Sequence, residues 1–302
     1  MKTKKVLALL LLALTILVSA CAGPTAQTTA PADTTKASAT EPPAASDTDP
    51  VATDTDAPAE KEKIVIGVTP NPHETLVKLV VDDLKEKGVD VEIKVFNDYF
   101  TPNQLVHDGE LDANYFQHIP FFDNEVEEKN LKLEILGGIH IEPMGIYSTK
   151  IKSLDALKEG DEVLIPNDTV NGGRALLLLQ AEGVIELKDG GTVTSTERDI
   201  EKNEKNLKFV PLEAAAIPRS YQDAAIGIIN GNYALDNDLN PVEDSIVLEG
   251  ASSPYVNIIA VREGEAKLPK FQALLEALQS DEVKTFIEKE YGGSVVTAFS
   301  KP

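Results

Sequence analysis

Strand and helix patterns alternate along the chain from Lys63 onward. Residues Lys63 to Val68 form a short, mostly apolar run typical of buried strands, and Val89 to Val95 alternates apolar and charged side chains. Between them, His73 to Lys87 carries leucine and valine at helical spacing and stops at Gly88. A strand, a helix and a second strand in succession predict a parallel sheet with helices packed against it.

The same alternation continues to the end of the chain. Further strands are predicted near residues 111–115, 131–136, 162–165, 207–211, 224–229 and 256–261. Helices are predicted from Thr101-Pro102 with Thr101 as the cap, near 120–129, from a Ser153 cap, and over 174–181, 268–279 and 281–291. Two such series with a late return of the chain predict an α/β, bilobed fold that resembles the type II periplasmic-binding-protein architecture. Its two α/β domains, residues 63–139 plus 252–302 and residues 140–251, would enclose a ligand cleft, as in the solute-binding component of a transporter.

The first twenty residues have the pattern of a secretory signal peptide. Three lysines precede an apolar run from Val6 to Val18, which is too short to span a bilayer, and small residues precede Cys21. The string Leu17-Val-Ser-Ala-Cys21 resembles a bacterial lipobox, in which the cysteine carries acyl chains such as palmitate. Cys21 is the only cysteine, so it forms no disulfide within the chain. The sequence predicts lipidation of Cys21; a free cysteine in an ordinary signal peptide is the alternative.

Residues 21–62 contain the lipidation site and a polar linker. Alanine, threonine, proline, aspartate and serine dominate the linker, and Val51 is its only large aliphatic residue. Because so little apolar surface cannot offset the entropy of ordering, the segment is predicted to be a disordered tether with a reach of roughly 35 Å; a small folded domain is the alternative. Together with the acyl chains, the tether predicts a protein anchored at the extracytoplasmic face of the cell membrane.

The chain is strongly acidic. Its net charge is −22, and removal of the signal peptide takes away three lysines. Such a surface repels nucleic acid and anionic lipid headgroups. We therefore expect no nucleic-acid partner, and we expect membrane contact through the acyl chains rather than through the protein surface.

Aromatic residues concentrate in the segment Asp98–Phe122. The chain has 7 tyrosines, 9 phenylalanines and no tryptophan, and six of these sixteen rings lie in this one segment. Phe116 and His118 alternate with Gln117, so an extended backbone would place them on one face. A thioether gains about 0.3–1.5 kcal/mol beside an aromatic ring, so one interpretation is an apolar slot at the cleft. The alternative is that these rings and a hydrogen-bonded histidine belong to the core.

Arg174 and two asparagines are candidates for binding a polar ligand group. Arg174 follows two glycines at the start of a very apolar predicted helix, where a guanidinium could bind a carboxylate bidentately. Asn230 and Asn257 could offer a carbonyl oxygen to an ammonium group or an amide N–H to a carboxylate. The alternatives are an exposed arginine in a loop and, at Asn230-Gly231, an ordinary turn.

Other chemistries lack their sequence patterns. The four histidines, His73, His107, His118 and His140, include no pair at the i, i+4 spacing of helical metal sites. No glycine-rich phosphate loop with a lysine, no Gly-x-Ser-x-Gly elbow and no cysteine beyond Cys21 is present. We therefore expect a binding protein rather than an enzyme, with no cofactor and no bound metal.

Eight short blocks resemble the NlpA-type lipoproteins, the family of methionine-binding lipoproteins that serve ABC importers. They are Gly67–His73, Asp112–Pro120, His140–Ser148, Ile165–Asp168, Asn171–Gln180, Pro218–Ser220, Ile229–Ala234 and Ser253–Ile259. The blocks occur in the family's order and extend over nearly all of residues 63 to 302. The resemblance implies capture of methionine and its delivery to an importer permease, by a protein that we expect to be a monomer.

The resemblance also implies a binding site. The thioether pocket falls on Tyr99, Phe116 and His118, and the head-group contacts fall on Arg174, Asn230 and Asn257. Phe121 belongs to the pocket as well, although relatives commonly have tyrosine there, so any hydrogen bond from that hydroxyl is missing here. L- and D-methionine, another amino acid, a short peptide and a metal ion remain alternatives as ligands. A role as a surface adhesin or antigen is a further alternative.

Overall fold

A computed structural model of the protein describes residues 62–250 and 254–301. The predicted signal peptide, Cys21 and the tether up to residue 61 lie outside the described residues. The described part contains two large sheets, each with helices packed against it. None of its helices is long and apolar enough to span a bilayer.

The first sheet has six strands and is mixed rather than purely parallel. Its strands are β1 (Glu62–Val68), β2 (Val89–Val95), β3 (Ala113–His118), β4 (Leu133–Ile141), β12 (Val256–Arg262) and β13 (Val296–Ser300). In the order β13-β4-β12-β3-β1-β2, strand β1 pairs in parallel with β2 and β3, whereas β12 runs antiparallel to both β3 and β4. Within this sheet, the predicted parallel pairing is therefore confirmed only for the first three strands. The returning chain inserts β12 in the opposite direction.

Helices cover both faces of this sheet. They are α1 (Thr75–Glu86), α2 (Pro102–His107), α3 (Ile119–Lys129), α8 (Pro269–Leu278) and α9 (Asp281–Tyr291). One core cluster joins Leu76 and Leu84 of α1 to Phe271 of α8 and Ile287 of α9. A second cluster joins the side chains of α2 and α3 to the other face of the sheet. Each fully buried leucine or isoleucine contributes about 1.5–3 kcal/mol, so these two clusters stabilise the packing of the helices on the sheet.

The second sheet has five strands, all from the middle of the chain. They are β5 (Gly145–Tyr147), β6 (Glu162–Pro166), β9 (Lys208–Leu212), β10 (Ile226–Ile229) and β11 (Val247–Leu248), in the order β11-β5-β10-β6-β9. A small separate pair, β7 (Glu186–Leu187) with β8 (Ile200–Lys202), lies outside this sheet. The associated helices are α4 (Thr169–Ala181), α5 (Ile217–Ser220), α6 (Gly231–Leu235) and α7 (Pro241–Asp244). Two sheets with their own helices give a bilobed α/β fold, as predicted.

Helix α4 begins five residues earlier than predicted. The side chain of Asp168 accepts a hydrogen bond from the backbone N–H of Asn171 and so caps the helix ahead of the two glycines. Gly173 is required there, because a Cβ at this position would lie 2.2 Å from the carbonyl oxygen of Val193. The clash with backbone outweighs the gain of about 0.5–1 kcal/mol that alanine would bring to a helix interior. Arg174 therefore lies in the second turn, and its predicted place at a helix N-terminus is wrong.

Two other predicted caps differ in the structure. Ser153 caps only a single 3-10 turn, Leu154–Ala156, because the chain turns away after it. Thr101 makes no side-chain cap; instead Asp98 accepts from the backbone N–H groups of Phe100 and Thr101 ahead of α2. Asp98 thus orders the loop just ahead of α2, and no side chain caps the helix itself.

The chain passes between the sheets twice. It leaves β4 at Ile141 and enters β5 at Gly145, and it leaves β11 at Leu248 and re-enters the first sheet at Val256. Strand β4 therefore continues two residues past the predicted border at residue 139. Because α4 follows β6 and α6 follows β10, these helices begin at the carboxyl ends of their parallel strands, where ligands bind in open α/β sheets.

Candidate functional site

A cavity with an empty volume of about 320 Å³ lies where the end of β3 approaches α4 and the start of α6. All seven predicted contact residues line it: Tyr99, Phe116, His118, Phe121, Arg174, Asn230 and Asn257. Each of them is buried. Further lining residues, which the sequence analysis did not select, are Gln117, Glu142, Asn171, Gly231 and Asn232. The structure thus brings the predicted residues together; their contact with a ligand remains a prediction.

One end of the cavity is aromatic. The rings of Tyr99, Phe116 and Phe121 surround it with centroid separations of 5.9–6.1 Å. Tyr233 of α6 lies behind Tyr99 at 4.8 Å and extends the cluster into the second half of the fold. These rings meet mainly at tilted and edge-on angles, which leaves ring faces and edges for an apolar side chain. The aromatic segment of the sequence therefore lines the cavity and also contributes to a core cluster.

The hydroxyl of Tyr99 connects the aromatic end to polar groups. It donates to Asn232 Oδ1 at 2.5 Å, and burial raises the pKa of Tyr99 well above its ordinary value, so the hydroxyl stays neutral. The backbone N–H of Asn232 donates to Glu142 Oε2 at 3.1 Å. Asn232 Nδ2 is buried without a hydrogen-bond partner among the described residues. A ligand acceptor would satisfy this donor.

Arg174 is held by protein groups on one edge. Its Nε donates to Glu249 Oε1 at 3.1 Å, and Nη2 donates to the other Glu249 oxygen and to the Glu142 carbonyl. Its Cζ lies 3.9 Å from the centroid of the Tyr255 ring, a cation–π geometry. The Nε–Nη2 edge is therefore already paired bidentately with Glu249. A ligand carboxylate would have to use the other edge, at Nη1.

Asn230 lies at the start of α6 with its side chain turned to Asn171. Asn230 Nδ2 donates to Asn171 Oδ1 at 2.8 Å, and Asn230 Oδ1 is buried without a partner in the described part of the chain. Asn171 Oδ1 also lies 3.1 Å from His118 Nε2. Burial, together with the charge of Arg174, lowers the pKa of His118 to about 3, so the ring is neutral. Asn230 is thus a buried cavity residue with an unsatisfied acceptor, rather than only part of a turn.

Asn257 joins the cavity to a buried polar network. Its Oδ1 lies 3.1 Å from His73 Nε2, which is in turn 3.3 Å from Glu142 Oε1. His140 Nε2 lies 2.7 Å from the same Glu142 oxygen. Burial lowers the pKa of His73 to about 4 and that of His140 to about 3, and it raises the pKa of Glu142. This network fixes the orientation of Asn257 at the cavity wall.

His73, His140 and Glu142 are also the one group in the described residues whose spacing could hold a metal ion. Their ligand atoms all lie within 4.8 Å of one another. However, His140 Nε2 and Glu142 Oε1 are 2.7 Å apart, which is a hydrogen-bond length. Ligand atoms about 2 Å from a tetrahedral zinc would be separated by roughly 3.3 Å. The geometry is therefore that of a hydrogen-bonded network, and the sequence prediction of no metal site remains a prediction.

Several site residues were missed because sequence spacing does not reveal them. His73 and His140 belong to different strand–loop segments, so no i, i+4 test could pair them. Glu142 and Asn171 each lie within a matched block, but neither belongs to a local pattern that indicates ligand binding. The signal that could have found Glu142 is a charged residue directly after the buried end of β4, whereas Asn171 lies in the first turn of α4, five residues after β6 ends.

Two lobes with a buried cavity of aromatic and amide side chains between their sheets define a bilobed substrate-binding fold. The chain belongs to the NlpA lipoprotein family, whose pattern matches residues 64–299. This confirms the family resemblance that the eight sequence blocks predicted.

Named relatives cover most of the chain. The D-methionine-binding lipoprotein MetQ of Salmonella typhi is 43% identical over 236 residues, which is 77% of this chain and 87% of that protein. The methionine-binding lipoprotein MetQ of Bacillus subtilis is 42% identical over 245 residues, with 80% and 89% coverage. A solved nutrient-binding protein of Burkholderia cenocepacia, bound to methionine, is 43% identical with a TM-score of 0.75, and the match covers 78% of this chain and all of that one.

Proposed function

We propose that this protein is a lipid-anchored, extracytoplasmic binding protein that captures methionine and delivers it to an ABC importer. The observation that carries the proposal is the cavity, which combines an aromatic end with buried, unsatisfied amide atoms. Relatives more than 40% identical over most of their length are named for methionine binding. We also propose that it performs no catalysis, since those relatives are binding proteins.

The polar end of the cavity suits the two charges of a free amino acid. Asn230 Oδ1 would accept from the ammonium group, with the nearby Glu142 carboxylate favouring a positive charge. Asn232 Nδ2 and the Nη1 edge of Arg174 would donate to the carboxylate. Acceptors on one side of the cavity and donors on the other orient the ligand. In the reversed orientation the ammonium group would face the guanidinium and the carboxylate would face the acceptor oxygens.

The aromatic end suits an unbranched thioether. Sulfur gains about 0.3–1.5 kcal/mol at a ring edge, and a flexible methionine side chain fills an irregular apolar slot. Tyr99, Phe116 and Phe121 would remove this side chain from water. A β-branched or charged side chain would lose packing or remain unpaired there, so selectivity would come from shape at one end and charge at the other.

Calorimetric titration tests the proposal directly. The purified protein is first unfolded and refolded, because a tightly held ligand survives purification, and it is then titrated with all twenty amino acids. We expect methionine to bind far more tightly than leucine, glutamine or lysine, and D-methionine is titrated in parallel to define stereochemistry. Equal binding of methionine and leucine, or binding of a metal ion alone, would contradict the proposal.

We also propose that Cys21 anchors the protein and that the tether is independent of the cavity. Cys21→Ser is expected to release the protein from the membrane fraction while methionine affinity stays unchanged, because acyl chains supply about 0.8 kcal/mol per buried methylene and the cavity supplies none of the anchoring. Mass spectrometry of membrane-purified protein measures the modification. An unmodified Cys21 in that fraction would overturn the anchoring proposal without affecting the binding proposal.

Lobe borders near residues 139 and 252 remain part of the proposal, as does a monomeric state. The first sheet takes its strands from residues 62–141 and 256–300, and the second takes its strands from 145–248.

A further inference from the structure

The side chain of Asn230 has two chemically different ends, and the end that is left for a ligand decides which ligand group fits. An amide oxygen only accepts hydrogen bonds, whereas an amide nitrogen only donates them. Asn230 is 5% exposed, and its Nδ2 is bonded to Asn171 while its Oδ1 has no partner among the described residues. Asn171 holds this orientation, and His118 and Asp168 in turn hold Asn171.

The first constraint comes from backbone. The N–H of Phe121, in the first turn of α3, donates to His118 Nδ1 at 3.2 Å. A backbone N–H can only donate, so Nδ1 must carry a lone pair and the proton of the neutral ring must lie on Nε2. His118 therefore presents an N–H donor to Asn171, 3.1 Å away.

The second constraint comes from a carboxylate. Asp168, the cap of α4, lies 3.0 and 3.1 Å from Asn171 Nδ2 through its two oxygens. A carboxylate accepts, so this end of the Asn171 amide must be the nitrogen. The donor at His118 and the acceptor at Asp168 demand the same orientation of Asn171 from opposite ends. Asn171 Oδ1 is thereby fixed beside Asn230.

We infer that Asn171 is a positioning residue, which turns the Asn230 amide so that its carbonyl oxygen is offered to the ligand and the site selects a ligand with an N–H donor at that point. The inference rests on the proposed function, in which the ligand is an amino acid whose ammonium group donates to Asn230. Asn171 acts through Asn230, since its own amide atoms are occupied by His118, Asp168 and Asn230. It therefore determines specificity more than total affinity.

The test compares methionine with its des-amino analogue, 4-(methylthio)butanoate, which keeps the side chain and carboxylate but lacks the donor. A hydrogen bond to a charged group is worth about 1.5–3 kcal/mol, so the stripped wild-type protein should prefer methionine by at least roughly tenfold. In Asn171→Ala the Asn230 amide loses its fixed orientation. We expect methionine affinity to fall while analogue affinity changes little, so that the preference, which is the ratio of the two affinities, falls about tenfold.

Two further variants separate positioning from general damage. Asn171→Asp keeps an oxygen beside both His118 and Asn230, so it should retain the wild-type preference even though repulsion from Asp168 lowers stability. Leu179→Ala, on the same helix but in a core cluster that contains no cavity-lining residue, should lower stability and leave the preference unchanged. If Asn171→Ala weakens both ligands by the same factor, or leaves both unchanged, the inference is wrong.

A measurement on the wild-type protein covers the case in which Asn171→Ala does not fold. Nitrogen-15 chemical shifts report the histidine tautomer, and we expect His118 with its proton on Nε2 in the ligand-stripped protein. A proton on Nδ1 would reverse the whole chain of donors and overturn the inference. If the wild-type protein fails to bind methionine at all, the proposed function is wrong, whereas methionine binding with an unchanged preference in Asn171→Ala rejects this inference alone.

Discussion

Replacing Arg174 with alanine is expected to weaken methionine binding by roughly 30- to 4,000-fold. Truncating one partner of a buried, hydrogen-bonded charge pair costs about 2–5 kcal/mol. The side chain of Arg174 is 3% exposed, so water cannot replace it at the ligand carboxylate. Arg174→Lys should recover only part of the loss, because an ammonium group keeps the charge without the planar geometry. Calorimetry on ligand-stripped variants measures the change.

The pairing with Glu249 adds a stability effect to this prediction. The Glu249 side chain is 14% exposed and keeps only the backbone N–H of Met144 in Arg174→Ala, so the empty protein should also unfold more easily. Glu249→Gln is the matched control: it removes the ion pair but retains the guanidinium for the ligand, and its affinity loss should be much smaller. Wild-type affinity in Arg174→Ala would remove this residue from the site and would weaken the assignment of Asn230 and Asn257 with it.

The part of this site that sequence could predict is the part that depends on local pattern. Alternating strands and helices predicted both lobes, and the blocks of the NlpA lipoprotein family selected seven residues that the fold gathers around one cavity. Local pattern could not predict that β12 enters the first sheet antiparallel, since that pairing joins segments far apart in the chain. Nor could it predict that Glu249 would occupy one edge of Arg174.

Polar networks were the least predictable feature. His73, Glu142 and His140 meet only because the first turn after β1 and the end of β4 approach each other in space. The start of α4 was misplaced for a related reason: the helix includes both glycines, and Gly173 is required inside it because the Val193 backbone lies too close for a Cβ. In both cases a partner distant in sequence determines the local conformation.

Phe116 lies at the aromatic end of the cavity, beside the rings of Tyr99 and Phe121. Phe116→Ala should lower the free energy of unfolding by about 3–5 kcal/mol, because the ring is 3% exposed and the surrounding rings cannot collapse fully into the space. It should also weaken methionine binding, by about two- to twelvefold from the lost sulfur–ring contact alone. Denaturant unfolding followed by circular dichroism measures the first effect, since the chain has no tryptophan, and calorimetry measures the second.

Phe271→Ala is the control that separates a ring of the slot from a ring of the core. Phe271 is fully buried under the first sheet, in a cluster that does not reach the cavity, so its truncation should cost similar stability and leave the affinity of the folded protein unchanged. Phe116→Leu retains most of the volume and should keep the protein folded where alanine does not, while still losing the ring contact. If Phe116→Leu and Phe271→Ala bind methionine equally well, the rings near residue 116 serve only the core and the slot must be formed by other residues.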